Sequence, residues 1–232
     1  MSFLCVDRIP GLLDLDRAVG LEAAGDPRYF WPTGSALRVR FLDGPPGLRA
    51  RVMAAASAWT DHANLTFTVV GAEPADIRVT FRGAGNWSAV GMMSRNRRMF
   101  PPGAPTMSLA EAPAAGPARL ARLARHEFGH AIGLVHEHSS PDAGIAWNRP
   151  VVLAALAGPP NHWSTADVAV NVFDRYRDTR TQFTAFDPES VMLYAFPPEW
   201  TLDGRTFPEN TELSAADRAF AAHIYPPRGA SR

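Results

Sequence analysis

The chain has 232 residues, which suits one domain with room for two lobes. Apolar residues make up 46%, enough for a real core and against a disordered tail. Lys+Arg and Asp+Glu balance at 23 each, so no net charge draws the chain to nucleic acid or an acidic membrane, and no apolar run approaches a membrane span.

The first thirty residues have weak periodicity, with Leu12, Leu13, Leu15, Val19 and Leu21 able to form a short helix. The start lacks a secretory signal, because Asp7 and Arg8 interrupt a short apolar stretch. A cytoplasmic protein, or one exported by a non-classical route, is the expectation. With the single cysteine Cys5 no intramolecular disulfide is possible.

Residues 35–42 alternate and read as a strand with Leu37, Val39 and Phe41 on one face. A DGPPG turn follows, and then a helix over 48–62, with Leu48, Val52, Ala55, Ala56 and Trp59 at helical spacing. Residues 65–70 and 75–82 read as two more strands. The order β-α-β-β implies a mixed sheet with a crossover helix. Residues 88–93 and 105–111 are shorter strand candidates. Between them the basic, proline-rich stretch 94–104 reads as a solvated loop, or as a rim for substrate.

Gly116 and Pro117 open a further helix whose Leu120, Leu123, Ala124 and Ala131 can face the sheet. Helices are expected near 149–157 and 164–172. A last one starts at Ser214, which has capping-box spacing with Asp217.

Residues 126–138 read HEFGHAIGLVHEH. His126 and His130, four apart, lie one above the other on a helix and can grip one Zn2+ from one side. Glu127 can then reach a water on the metal rather than the metal itself. A third ligand needs the chain to turn first. Gly133 permits that turn, and His136 returns toward the metal. Three protein ligands leave a position open, the mark of a catalytic rather than a structural site. His138, one step past the pattern, is expected to lie outside the ligand set or in solvent.

This H-E-x-x-H-x-x-G-x-x-H pattern resembles that of the metzincin zinc peptidases. Met192, in Ser190-Val-Met-Leu-Tyr194, matches the Met-turn of that clan. Within the clan the chain is most similar to the astacin-like peptidases. Glu137 after the third histidine, together with Ser190, Met192 and Tyr194, carries that likeness. The resemblance implies an α+β zincin fold. A twisted, mixed five-stranded sheet with two long helices forms the upper lobe. An irregular, helix-containing lower lobe completes the fold, and one catalytic zinc lies in the cleft between. It divides the chain into a leader or latch over 1–30, a subdomain over 31–136 with the sheet and zinc helix, and a subdomain over 137–232 with the Met-turn and last helix.

The function implied is a zinc endopeptidase acting as a monomer on extended protein or peptide segments. Glu127 would be its general base, and Tyr194 a zinc ligand at rest that swings to stabilise the oxyanion. The substrate would lie along the edge strand near 88–93. Matrixins are held latent by a propeptide cysteine, and Cys5 beside Asp7 and Arg8 is a candidate zinc-binding latch, although the matrixin residue order is not reproduced. Astacin-like propeptides use an aspartate, for which Gly25 and Asp26 offer a second candidate. Other readings are a catalytically silent, zinc-stabilised peptide-binding module and an exported effector or toxin protease. Glu127 favours the enzyme, because a structural site has no use for a base.

Overall fold

The computed structural model describes residues 27–174 and 185–227. Cys5, Gly25, Asp26 and the leader helix expected through Val19 and Leu21 lie outside the described residues.

Five strands, β1 (Ala36–Phe41), β2 (Thr66–Val69), β3 (Ile77–Thr80), β4 (Asn86–Ser88) and β5 (Met107–Leu109), form one sheet in the order β2-β1-β3-β5-β4. All neighbours are parallel except the edge strand β4, which runs antiparallel to β5. In β1 the alternation holds: Leu37, Val39 and Phe41 are buried. Parallel β1 and β2 need a crossover, and α1 (Pro46–Thr60) supplies it, burying Leu48, Val52, Ala55, Ala56 and Trp59.

The strand expected over 88–93 is corrected. The strand is Asn86–Ser88, and Gly91–Arg95 is a 3-10 turn whose Met93 N–H bonds back to Val90 O at 3.0 Å. A short apolar run has no periodicity to separate a strand from a helical turn. Here Ala89, Met93 and Phe100 form a local cluster instead of continuing the ladder.

Helix α2 (Pro117–Ala131) packs beside α1 and carries the histidines. Its end is buried, so its last carbonyls need partners inside the protein. Trp31 Nε1 donates to Ala131 O at 2.8 Å, and the Tyr225 hydroxyl donates to Ile132 O. Nearly two turns back, Trp59 Nε1 donates to Arg125 O at 2.7 Å. Residues far apart in the chain thus fix the helix that bears the site.

The chain after His136 is less regular. Helices α3 (Arg149–Ala157) and α4 (Thr165–Val168), the latter followed by a π-helical turn over Ala169–Phe173, enclose a second core with Leu156, Phe196, Trp200 and Phe207. The last helix, α5 (Ala215–Ile224), starts in the expected capping box, with Asp217 N–H donating to Ser214 Oγ at 2.9 Å. Its Phe220, Ala221 and Ile224 join the first core together with Val191 and Met192.

Candidate metal centre

His126 and His130 sit one turn apart on α2, both buried. The helix then stops in a Schellman turn. Gly133 N–H bonds to His130 O at 2.8 Å and Leu134 N–H to Gly129 O at 3.0 Å, with Gly133 at φ +104°. This reversal brings His136 back onto the helix face. Its Nε2 lies 3.2 Å from Nε2 of His126 and 3.2 Å from Nε2 of His130.

The other side of two of these rings is also fixed. His126 Nδ1 donates to Val191 O at 2.8 Å, and His130 Nδ1 donates to Leu134 O at 2.9 Å. Those carbonyls accept only, so both Nε2 atoms present lone pairs to the centre. Three buried imidazole nitrogens meet at one point, at least two of them as acceptors, and a cation at that point would satisfy their lone pairs. Zn–N bonds of 2.0–2.1 Å at tetrahedral angles place the nitrogens roughly 3.3 Å apart, close to the spacing here. Burial holds His126 well below the usual histidine range, and Arg122 and the two other imidazoles add to this. The neutral ring so favoured is the form that binds metal. The three residues fit a zinc ion, and among the described residues they are the group of His, Cys, Asp and Glu able to hold one.

The segment Ser190–Tyr194, the candidate Met-turn, packs against α2. Met192 is buried against α2, and its sulfur occupies the space that a side chain at Gly129 would fill: a Cβ there would overlap Met192 Sδ. The turn itself is tied to α5. Asp217 accepts from Val191 N–H at 2.8 Å and from Ser190 Oγ at 2.7 Å, and Ser190 Oγ accepts from Met192 N–H at 3.0 Å. Asp217 therefore caps its own helix and also holds the segment whose Val191 carbonyl orients His126. Helical spacing showed the first role only, and neither Gly129 nor this second role of Asp217 carries a local signal.

A cleft of about 400 Å³ opens beside the histidines, lined among others by Asn86 of the edge strand, Arg122, His126, Glu127, Tyr194 and Phe196. Glu127 lines it and is fully buried. The Tyr194 ring packs on His136 with centroids 4.2 Å apart and stands 6.2 Å from His126. His138 departs from expectation where it was placed in solvent: it is buried and stacks on Tyr194 at 4.5 Å.

The model of the astacin peptidase family matches residues 27–148. The chain belongs to the astacin family. A structure of myroilysin is 36% identical, with a TM-score of 0.82 over 88% of this chain and 98% of that one. A crystal structure of myroilysin is 34% identical, with a TM-score of 0.68 over 97% of this chain and 92% of that one. High choriolytic enzyme 1, a hatching-enzyme zinc protease from the medaka fish Oryzias latipes, shares the fold at 18% identity, with a TM-score of 0.59 over 87% and 96% of the two chains. No curated protein sequence matches. As an astacin-family member this chain is a zinc metalloendopeptidase acting on protein or peptide substrates.

In this astacin-family site Glu137 faces away from the cleft. Its N–H donates to Met192 O at 3.2 Å, and its carboxylate accepts from Asp187 N–H at 2.9 Å. Burial pushes its carboxyl from 4.5 up to about 7, opposed by the Asp187 N–H and reinforced by the charges of Asp217 and Asp187. A carboxyl raised on folding binds its proton more tightly in the folded state. The stability it contributes is thus complete below pH 4.5 and is lost as pH rises through 7. Glu137→Gln removes that loss. Its unfolding free energy in urea, minus that of the parent, is expected to be about 2 kcal/mol larger at pH 8 than at pH 5 after discounting for partial exposure. An equal difference at both pH values would contradict the raised carboxyl.

Proposed function

We propose that Glu127 is the general base of this endopeptidase and that Tyr194 steadies the oxyanion, with the substrate extended beside β4. The observation that carries this reading is that Glu127 and Tyr194 line one cleft with His126, whose Nε2 converges with those of His130 and His136. A zinc ion held by three histidines lowers the pKa of a bound water toward neutrality and polarises a carbonyl. Glu127, one residue from His126 and buried in the cleft lining, takes the attacking water's proton in this reading and returns it to the leaving amine. Tyr194 has a hydroxyl to donate as negative charge grows on the carbonyl oxygen. Asn86 lies both in β4 and in the cleft wall, so a peptide pairing with this edge passes the site. Pairing through the backbone accepts extended segments of many sequences.

Latency through Cys5 is the regulatory part of the proposal. A thiolate is a strong zinc ligand, and thirty residues span roughly 100 Å, so reach is no obstacle.

One assay tests both parts. Zinc-loaded protein is incubated with denatured casein, with and without a chelator, beside the Cys5→Ser variant. The expected result is cleavage that the chelator abolishes and that Cys5→Ser increases. Fragments that form equally with chelator would refute the peptidase reading, and equal rates for the two proteins would end the latch.

A further inference from the structure

His138 has no part in the metal-binding group, and its ring is oriented the opposite way from the ligands. His126 and His130 each spend Nδ1 on a backbone carbonyl and turn Nε2 to the centre. In His138 it is Nε2 that donates to a carbonyl, Asn171 O, at 3.0 Å. That carbonyl lies in the last turn of the π-helical segment Ala169–Phe173, where the acceptors have no later N–H of their own helix to meet. The histidine thereby anchors to the lower lobe.

Its ring face is spent on Tyr194. The two rings stack at 4.5 Å with 25° between their planes. His136 stands 4.2 Å from Tyr194 and 5.3 Å from His138, so the phenol sits in a notch between two imidazoles. Phe196 presses edge-on against both Tyr194 and His138, and Trp147 edge-on against His138. Each of these contacts restricts the tilt of a ring that must also border the cleft.

We infer that His138 is a positioning residue for Tyr194: hung from Asn171 O, its imidazole keeps the phenol against His136. The inference rests on the reading of Tyr194 as a catalytic group. Shortening His138 leaves space one imidazole wide beside the phenol, which can then turn away from the ligands.

The test is a double-mutant cycle of His138→Ala and Tyr194→Phe in the zinc-loaded full chain, together with a crystal structure of His138→Ala. His138→Gln serves as a milder variant that keeps a donor for Asn171 O and loses the ring. Displacing a reacting group by a fraction of an ångström to 1 Å costs about 10- to 100-fold. The expected outcome is a loss of kcat of about tenfold with KM little changed, Tyr194 displaced from His136 in the crystal, and no further loss when His138→Ala is added to Tyr194→Phe. His138→Gln is expected to show the same pattern more weakly. Losses that multiply in the double variant would overturn the inference, as would an unmoved Tyr194 ring or an unchanged kcat in both His138 variants. Wild-type turnover in Tyr194→Phe alone would instead refute the role of Tyr194 in the proposed function, and the ring position in the crystal then decides for His138.

Discussion

Glu127→Ala is expected to bind one zinc ion and to cleave denatured casein roughly 10³-fold more slowly than the parent chain, the scale of a lost general base. The two halves of that expectation have separate causes. Zinc retention follows from the ligand set: His126, His130 and His136 converge through their Nε2 atoms, and Glu127 is not among them. The carbonyls of Val191 and Leu134, which orient two of the rings, are equally untouched by the change. The loss of rate follows from location. Glu127 is wholly buried in the lining of the cleft, and taking a carboxylate out of water costs several kcal/mol. A silent peptide-binding module has no reason to bear that cost beside a metal site. Zinc content by atomic absorption and fragment formation by mass spectrometry separate the outcomes. Full activity in Glu127→Ala sinks the assignment of the base. A parent chain that binds peptides without cutting them would favour the module.

The parts of the site legible in the sequence are those set by local geometry. His126 and His130 share a helix face because four residues make about one turn, and Gly133 announces the reversal that returns His136. The buried face of β1 followed from alternation, and α3 was expected over the same residues, 149–157, that it occupies. The parts that stayed hidden depend on groups distant in the chain. His138 looks like an extra member of a histidine-rich run until the fold brings Asn171 and Tyr194 to it. Gly129 reads as filler within the zinc pattern, yet it makes room for a methionine far along the chain, Met192. Asp217 shows its capping role through its spacing with Ser214. Its grip on the Met-turn exists only because α5 folds back onto the first core. The 3-10 turn at Gly91–Arg95 was missed for a different reason: a run of small and apolar residues has no period to read.

Gly133→Ala is expected to weaken folding and zinc binding together, because one turn serves both. At φ +104° the residue lies beyond the left-handed region that other L-amino acids visit, a conformation costing on the order of 1–3 kcal/mol for a residue with a Cβ. The added carbon also meets Phe30: it would stand 2.7 Å from Phe30 Cδ1, in a wall of the first core. Relief is possible by moving the ring or by opening the turn. Phe30 packs edge-on against Tyr225, whose hydroxyl satisfies Ile132 O at the helix end, so moving the ring loosens that cap. Opening the turn lengthens the Leu134 N–H to Gly129 O bond. It also shifts Leu134 O, the acceptor that holds His130 in its metal-binding orientation. Either route disturbs the path from His130 to His136. The expected loss is about 2–4 kcal/mol of unfolding free energy for the metal-free protein, with zinc affinity lowered at least about tenfold, in the range seen when groups orienting a ligand are removed. Urea unfolding without metal and competition with a chelating dye measure the two separately. A variant that loses stability but keeps parental zinc affinity would show that His136 reaches the centre without help from the turn.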